Sequence, residues 1–178
     1  MTTDIKPAIP IRTITEKHPY SICFVCLGNI CRSPTAEGVM QHLVTKAGLQ
    51  SYFHIDSAGT ASYHIGELPD SKSREVAGQH NVILRSRARQ LRSDDLSEFD
   101  LILAMDHENY SDILALDRKN LFSDKVALLR SFDPYPNHMA VPDPYYGGLD
   151  GFEKVYEIIR RSCSELLEVL ETHIEFES

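Results

Sequence analysis

The chain has 178 residues and a mass of 20.1 kDa, which fits one domain of ordinary size and leaves little room for a second. Its 18 Lys and Arg against 26 Asp and Glu give a formal net charge of -8, which argues against a general nucleic-acid binder and, at first sight, against an anionic substrate. With 42% hydrophobic and 25% charged residues the chain is too apolar to be disordered, and no apolar run is long enough for membrane insertion.

The N-terminal segment, residues 1–18, mixes Thr, Pro, Lys and isolated Ile without a usable period. We interpret it as a loosely held, flexible extension, with a short pairing strand as the alternative, and expect the folded domain to span residues 19–178. The first twenty residues lack the apolar stretch of a secretory signal. Three of the four cysteines are crowded into nine residues, a poor disulfide framework. These features predict a cytoplasmic protein.

Strand patterns alternate with helix patterns along the rest of the chain. Residues 21–25 predict a buried strand, a loop follows at 26–33, and Pro34 suits the first turn of a helix that ends near Gly48. Further strands are predicted at 53–58, 101–105 and 125–129, and further helices at 70–80, around 107–116 and from residue 150 onward. This alternation predicts an α/β fold, a parallel sheet with right-handed crossovers and helices on both faces.

The loop at residues 26–33, Cys-Leu-Gly-Asn-Ile-Cys-Arg-Ser, carries the candidate chemistry. It joins a strand to a helix N-terminus, where open α/β sheets bind ligands, so its backbone N–H groups and the helix dipole should form an anion-binding cradle. Arg32 adds a planar fork of donors that matches phosphate oxygens. The same field should favour the thiolate of Cys26, to which Ser33 can donate a hydrogen bond. The other predicted phosphate-binding residues are Leu27, Gly28, Asn29, Ile30 and Cys31.

A buried cysteine near a surface arginine is the alternative interpretation of this loop. A cysteine followed six positions later by an arginine is a weak signal by itself. The context favours a phosphate site, because a strand precedes the loop, Gly and Asn lie within it, and Ser-Pro and a helix follow.

Residues 25–34, Val-Cys-Leu-Gly-Asn-Ile-Cys-Arg-Ser-Pro, resemble the signature loop of the low-molecular-weight protein tyrosine phosphatases. The resemblance covers about residue 20 to the C-terminus and implies a central four-stranded parallel sheet flanked by helices. It also implies a two-step hydrolysis of phosphotyrosine in proteins, without metal or cofactor, in which Cys26 forms a cysteinyl-phosphate and Arg32 with the loop amides holds the charge. Inorganic phosphate is the product. The further segments that resemble the family are 55–60, His80 with 87–91, 99–106 and 143–146.

The mechanism needs a carboxylic acid that protonates the leaving phenolate and then activates water. Asp-Pro-Tyr occurs twice, at Asp133 and at Asp143, both on the loop after the fourth predicted strand. The residues alone favour Asp143, because Pro142 and Pro144 stiffen its loop, but they leave Asp133 open. The family pattern Asp-Pro-Tyr-Tyr matches only Asp143, and Asp133 then reads as a turn residue before proline.

The resemblance also implies supporting roles. Ser57 and His80, with Asn29, match positions that brace the loop by hydrogen bonds; the alternatives are a turn serine and an ordinary half-buried histidine. Cys31 would trap oxidised Cys26 as a reversible disulfide, or is a small packing residue. Three tyrosines are predicted to line the mouth of the cleft, with surface tyrosines as the alternative: Tyr63, Tyr145 and Tyr146.

Asp106 also matches a family position, with a structural role and a substrate role equally open.

Three other functions are possible for a chain with this loop. An arsenate reductase with the same loop would need relay cysteines, and residues 32–162 contain none. A protein arginine phosphatase of the same superfamily carries Thr where this chain has Ile30. A non-catalytic phosphate-binding module would be expected to lack Cys26 or the acid.

Overall fold

Four parallel strands form one sheet in the part of the chain that the structure, a computed structural model, describes: residues 8–135, 139–145 and 147–177. The strands are β1 Tyr20–Cys26, β2 Phe53–Gly59, β3 Leu101–Ala104 and β4 Val126–Leu128, in the order β2-β1-β3-β4. This confirms the predicted fold class. Since β1 lies between β2 and β3, its carboxyl end is flanked by the ends of two other strands.

Helices pack on both faces of the sheet, as the alternating patterns predict. Along β1, Ile22 and Phe24 enter one apolar cluster, whereas Cys23 and Val25 enter the other. Both clusters are buried, which explains why this strand reads as a continuous apolar run. The first cluster includes residues of α1, α2 and α5, and the second includes residues of α3 and α4. The helices are α1 Arg32–Lys46, α2 Ser71–Gln79, α3 Ser93–Glu98, α4 His107–Leu116 and α5 Leu149–Glu171.

The short helix α3 was not predicted from the sequence. Its apolar content is a single buried leucine, Leu96, so no periodicity marks it. Local hydrogen bonds define it instead, because the backbone N–H of Arg92 donates to Asp95 Oδ2 at 2.7 Å at the start of the helix. Such short capped turns are set by side-chain acceptors rather than by amphipathic spacing.

The described part of the N-terminal segment, residues 8–18, lies against the domain. Ile14 is fully buried and forms a parallel bridge with Ile174, close to the C-terminus. Arg12 makes two hydrogen bonds to the carboxylate of Asp100, at 3.1 and 2.8 Å. These contacts are of the kind expected from the alternative interpretation of this segment, a short pairing strand. The division into an extension at 1–18 and a domain at 19–178 stays a prediction.

The longest helix in the described ranges is α5, whose apolar face packs into the core. None of the helices described combines the length and apolar character that crossing a membrane requires.

Candidate active site

The loop between β1 and α1 is held from behind by the neighbouring backbone. The carbonyl oxygens of Cys26 and Leu27 accept from Thr60 and Ala61 N–H, both at 2.9 Å, and that of Ile30 accepts from Asp70 N–H at 2.7 Å. Within the described part of the chain, the backbone N–H groups of residues 27–33 donate to no protein acceptor. With three of its carbonyls engaged outward and its amides without a protein acceptor, the loop has the geometry that an anion cradle requires.

Two backbone features make this loop possible. Asn29 has a φ of 57°, in the left-handed region that asparagine tolerates better than most residues. Gly59, at the end of β2, lies against the back of the loop, where a Cβ would sit 2.7 Å from the Leu27 carbonyl oxygen. Only a glycine at this strand end allows β2 and the loop to approach so closely.

Cys26 lies at the base of the loop with 3% of its surface exposed. Its Sγ is 3.0 Å from Ser33 Oγ, which accepts a hydrogen bond from Asn29 Nδ2 at 2.7 Å. The hydroxyl hydrogen of Ser33 is thus left for the Cys26 sulfur or for the Ala58 carbonyl at 3.4 Å, and the sulfur contact is the shorter. The Ser33 hydroxyl is thus placed to donate a hydrogen bond to the Cys26 sulfur.

Asn29 connects the loop to its surroundings. Its Nδ2 also donates to Ser57 Oγ at 2.9 Å, and its Oδ1 accepts from Arg89 N–H at 3.0 Å. Asn29, Ser33 and Ser57 are all buried, so these hydrogen bonds are shielded from water. The structure therefore brings Ser57 to the loop, at the position in which a bracing role was predicted.

Arg32 is almost completely buried, and carboxylates fix its guanidinium. Its Nη1 donates to Asp106 Oδ2 at 2.7 Å and to the Val141 carbonyl at 3.1 Å, and its Nη2 lies 3.6 Å from Asp143 Oδ2. Burial alone would lower the pKa of Arg32, but Cys26, Asp106 and Asp143 outweigh it and raise the pKa. A permanently charged fork thus stands beside the Cys26 sulfur.

Asp106 begins α4, and its Oδ1 accepts from the backbone N–H of Asn109 at 2.8 Å. The same carboxylate therefore caps a helix and holds Arg32. Of the two roles left open for Asp106, the structure favours the structural one.

The two candidate acids occupy different environments. Asp143 lies in the cleft with 46% of its side chain exposed, and its Oδ1 accepts from Tyr145 N–H at 3.1 Å. The side chain of Asp133 is fully buried between Arg130 and Arg161, with oxygen–nitrogen distances of 3.3 and 3.0 Å. Hydrogen bonds to Asp133 oxygens come from both arginines and from Tyr135 N–H, so it has no exposed face toward a substrate.

A cleft of about 300 Å³ opens above Cys26. Tyr63 and Tyr145 line it, with 75% and 44% of their surface exposed, as predicted for residues at its mouth. The predicted Tyr146 lies outside the described residues. The further lining residues are Leu27, Gly28, Ile30, Cys31, Arg32, His64 and Asp143.

His64 is a lining residue that sequence reasoning missed. Its ring packs on Gly28, where a Cβ would lie 2.9 Å from His64 Cδ2. Its Nδ1 is 2.7 Å from Glu67 Oε2, and its ring centroid is 6.4 Å from that of Tyr145. The one available signal was its place directly after the predicted Tyr63.

His80 is not brought to the loop, and its predicted bracing role is not supported. It follows the last residue of α2, its ring stacks on Tyr156 at 4.1 Å, and its Nε2 lies 3.5 Å from Glu153 Oε2. Both partners belong to α5, the helix on which α2 packs.

A buried carboxyl joins the hydrogen-bonded side chains of Asn29, Ser33 and Ser57, and it was not predicted from the sequence. Glu37, on α1, is buried, and its Oε1 accepts from Ser57 Oγ at 3.4 Å. Ser86 and Asp56 lie close enough to its side chain to affect the pKa of Glu37. A glutamate inside a helix pattern ordinarily reads as a solvated residue, so nothing in the sequence singled it out.

Cys31 is buried beside the cleft, and burial raises the pKa of its thiol to about 12. All four cysteines are free. In the described ranges, no group of three or more His, Cys, Asp or Glu side chains is arranged to hold a metal ion.

Comparison with known proteins identifies relatives along most of the chain. Residues 21–175 match the family model described as low molecular weight phosphotyrosine protein phosphatase. A protein of that description from Gallus gallus is 42% identical over 151 residues, which are 83% of this chain and 94% of the relative.

Solved structures agree with this match. A protein tyrosine phosphatase from Entamoeba histolytica superposes with a TM-score of 0.83 at 39% identity, covering 86% of this chain and 97% of that one. A Drosophila arginine phosphatase superposes with a TM-score of 0.78 at 33% identity, covering 83% and 96%. The family model, which matches residues 21–175, and the sequence identity lead to one conclusion: the chain belongs to the low molecular weight phosphotyrosine protein phosphatase family.

Proposed function

We propose that this chain hydrolyses phosphotyrosine in proteins through a cysteinyl-phosphate on Cys26. The observation that carries this function is the loop itself, which begins at the buried Cys26, includes N–H groups without an acceptor in the described residues, and places Arg32 near the sulfur in the same cleft. Such a loop suits the equatorial oxygens of a phosphoryl group in the transition state of its transfer, because preorganised donors stabilise charge where it develops. Attraction of the anion comes from these local groups, so the net charge of -8 is no obstacle.

In the first step the Cys26 thiolate attacks phosphorus and forms an S–P bond as the bond to the phenolic oxygen breaks. Asp143, protonated, gives its proton to the leaving phenolate. In the second step Asp143, now a carboxylate, takes a proton from water, whose oxygen attacks phosphorus as the S–P bond breaks. Inorganic phosphate leaves, and Ser33 donates its hydrogen bond to the departing thiolate, 3.0 Å away.

Two features of the cleft support a phenolic leaving group. Tyr63 and Tyr145 supply aromatic walls at the mouth, and Cys26 lies at the base. A flat phenyl ester can stack on such walls while its phosphate reaches the sulfur. Short phosphoserine side chains would not extend as far.

Protein arginine phosphatase is the second candidate, and the superposition on a Drosophila arginine phosphatase favours keeping it. Ile30, which lines the cleft, favours phosphotyrosine. Arginine phosphatases of the superfamily resemble this loop but carry the smaller Thr at this position. Thiol-relay arsenate reduction is not supported, since residues 32–162 contain no cysteine.

The test is hydrolysis of p-nitrophenyl phosphate and of matched phosphotyrosyl, phosphoseryl and phosphoarginyl peptides. We expect hydrolysis of p-nitrophenyl phosphate and of the phosphotyrosyl peptide. The kcat/KM for the phosphotyrosyl peptide should be at least about a hundredfold above that for the phosphoseryl and phosphoarginyl peptides. Preference for the phosphoarginyl peptide would replace this function with the second candidate. Cys26→Ser should abolish turnover, whereas Cys163→Ser, at a buried cysteine in the core of α5, should preserve it.

We also propose that the enzyme is cytoplasmic and redox-regulated. A thiolate nucleophile requires a reducing compartment, and all four cysteines are free. Peroxide would oxidise the Cys26 thiolate to a sulfenic acid, and the Cys31 thiol would displace water from it to form a disulfide. Cys31→Ser should make peroxide inactivation harder to reverse with added thiol. Unchanged recovery of the variant would rule the disulfide out.

A further inference from the structure

A buried chain of hydrogen bonds runs from the Cys26 sulfur to a carboxyl on α1. It passes from Sγ to Ser33 at 3.0 Å, and Asn29 then joins Ser33 to Ser57 at 2.7 and 2.9 Å. Ser57 Oγ finally meets Glu37 Oε1 at 3.4 Å. Every side chain in it is nine-tenths or more buried, so the nucleophile and Glu37 are joined without a solvent break.

Asn29 fixes the direction of the hydrogen bonds that join it to Ser33 and Ser57. Asn29 Nδ2 can only donate, so the Ser57 oxygen accepts from Asn29 and gives its own hydrogen to Glu37. Glu37 therefore orients Ser57, and Ser57 holds Asn29, the residue in the left-handed conformation at the turn of the loop. A change at Glu37 reaches the loop through two contacts.

Glu37 also faces a second carboxyl. Asp56 is close enough to raise the pKa of Glu37, and one proton on the pair relieves the repulsion between the two carboxyl groups. Asp56 is the member with a cationic partner, because Arg89 Nη2 lies 2.9 Å from its Oδ2. No ion pair among the described residues includes Glu37, so the proton resides there.

The groups around Glu37 come from three elements. Asp56 and Ser57 face it from β2, and Ser86 faces it from the segment before Arg89. Cys23, from β1, is close enough for the charge on Glu37 to act on its thiol. The single cation nearby, Arg89, is shared between Asp56 and Asp95 of α3.

We propose that Glu37 is a positioning residue of the phosphatase reaction, bracing the loop as a neutral acid and weakening anion binding there when it ionises. The inference rests on the proposed function for its kinetic consequence. Ionisation would place two facing carboxylates behind the loop, and would add a buried negative charge to a site that must hold a thiolate and a phosphate. Burial beside Asp56 raises the pKa of Glu37 to about 7, within the range in which the enzyme can be assayed.

The test is the pH profile of kcat/KM for p-nitrophenyl phosphate in the wild-type chain and in Glu37→Gln. Glutamine can donate to Asp56 and accept from Ser57 as the neutral acid does. The ratio of variant to wild type at one pH cancels the titration of the substrate and of other groups. We expect a ratio near one at about pH 5.5 and a gain of about threefold or more at about pH 8. The inhibition constant of inorganic phosphate should improve in parallel.

Two further variants separate positioning from structure. Glu75→Gln, at an exposed glutamate on α2, should keep a ratio near one at every pH. Ser57→Ala should lower kcat/KM and should reduce the effect of adding Glu37→Gln to the part that acts through charge alone, since it removes the hydrogen-bonded link. Parallel profiles of Glu37→Gln and wild type would overturn the proposal.

A measurement on the unmodified chain keeps the proposal testable if a variant fails to fold. Carboxyl-carbon NMR with labelled glutamate should show one resonance titrating near pH 7, apart from the exposed glutamates. Titration of every glutamate near the ordinary value would overturn the proposal whether or not the chain is a phosphatase. Titration of Glu37 near pH 7 in a chain without phosphatase activity would instead count against the proposed function.

Discussion

Replacing Asp133 by Asn should destabilise the fold and spare the chemistry. The Asp133 carboxylate is fully buried and faces two guanidinium groups, one of which, on Arg130, is itself 8% exposed. Removal of the negative charge leaves that cation uncompensated in the interior, which typically costs 3–5 kcal/mol. Arg161 keeps 26% of its side chain exposed and can turn to water. We therefore expect a loss of about 2 to 4 kcal/mol.

The matched control is Asp143→Asn, which carries the same chemical change at the partly exposed candidate acid. Urea unfolding at neutral pH should show a lower midpoint with an unchanged slope for Asp133→Asn, and a change within about 0.5 kcal/mol for Asp143→Asn. Phosphatase assays should show the reverse, with Asp143→Asn slowing turnover most for poor leaving groups. A stable Asp133→Asn chain with the same leaving-group defect would refute the assignment of the acid.

The acid limb of stability gives a second readout on Asp133. Burial alone would raise the pKa of Asp133, but hydrogen bonds from Arg161 and from Tyr135 N–H outweigh it and lower the pKa. The carboxylate therefore stabilises the fold above the ordinary aspartate pKa of 3.8, and this contribution is lost as the pH falls through the lowered value. Asp133→Asn should flatten that part of the pH profile.

Three more substitutions test other parts of the account. Burial raises the pKa of Glu37 from 4.5 to about 7, so its stabilising contribution is present below pH 4.5 and is lost as the pH rises through 7. Glu37→Gln should remove this loss of stability, which is on the order of 3 kcal/mol. Urea unfolding at several pH values measures it. Gly59→Ala should weaken phosphate inhibition severalfold and lower the melting temperature, since its Cβ meets the Leu27 carbonyl at 2.7 Å; unchanged inhibition would contradict the close packing. Ile14→Ala should cost about 2 to 4 kcal/mol, against less than about 0.5 for exposed Ile65→Ala; equal effects would show that residues 8–18 are loosely held.

The sequence was sufficient for the part of the site whose geometry is local. A buried strand, a loop with Gly and Asn, and a helix at Arg32 follow one another within the chain, so their arrangement follows from short-range rules. The alternation of strands and helices likewise predicted a parallel sheet covered on both faces. The short helix α3, which was not predicted, does not change the order of the strands in the sheet.

Residues outside the loop depended on packing that no local pattern encodes. The two Asp-Pro-Tyr segments are alike in sequence, and they differ because Arg161 of α5 reaches Asp133 and not Asp143. His80 was assigned to the loop, yet its position at the end of α2 turns it toward Tyr156. Glu37 was overlooked, because only the approach of β2 to α1 buries it.

The segment before the domain shows the same limit. Residues 8–18 have no periodic pattern, because Ile14 is their one fully buried side chain and Ile9 and Ile11 are only partly buried against the core. Its partner, Ile174, is 160 positions away, and the bridge between them depends on where α5 ends. A contact between the two ends of the chain leaves no trace in either end alone.

The most direct test of the central claim is to trap the reaction intermediate. Asp143→Asn should slow the attack of water more than the formation of the S–P bond when p-nitrophenyl phosphate supplies a good leaving group. Acid quenching during turnover, followed by peptide mapping with mass spectrometry, should then find phosphate on Cys26. The same experiment should find none in Cys26→Ser and a normal amount in Cys163→Ser. Turnover of the substrate without phosphate on Cys26, or with phosphate on another residue, would contradict the mechanism.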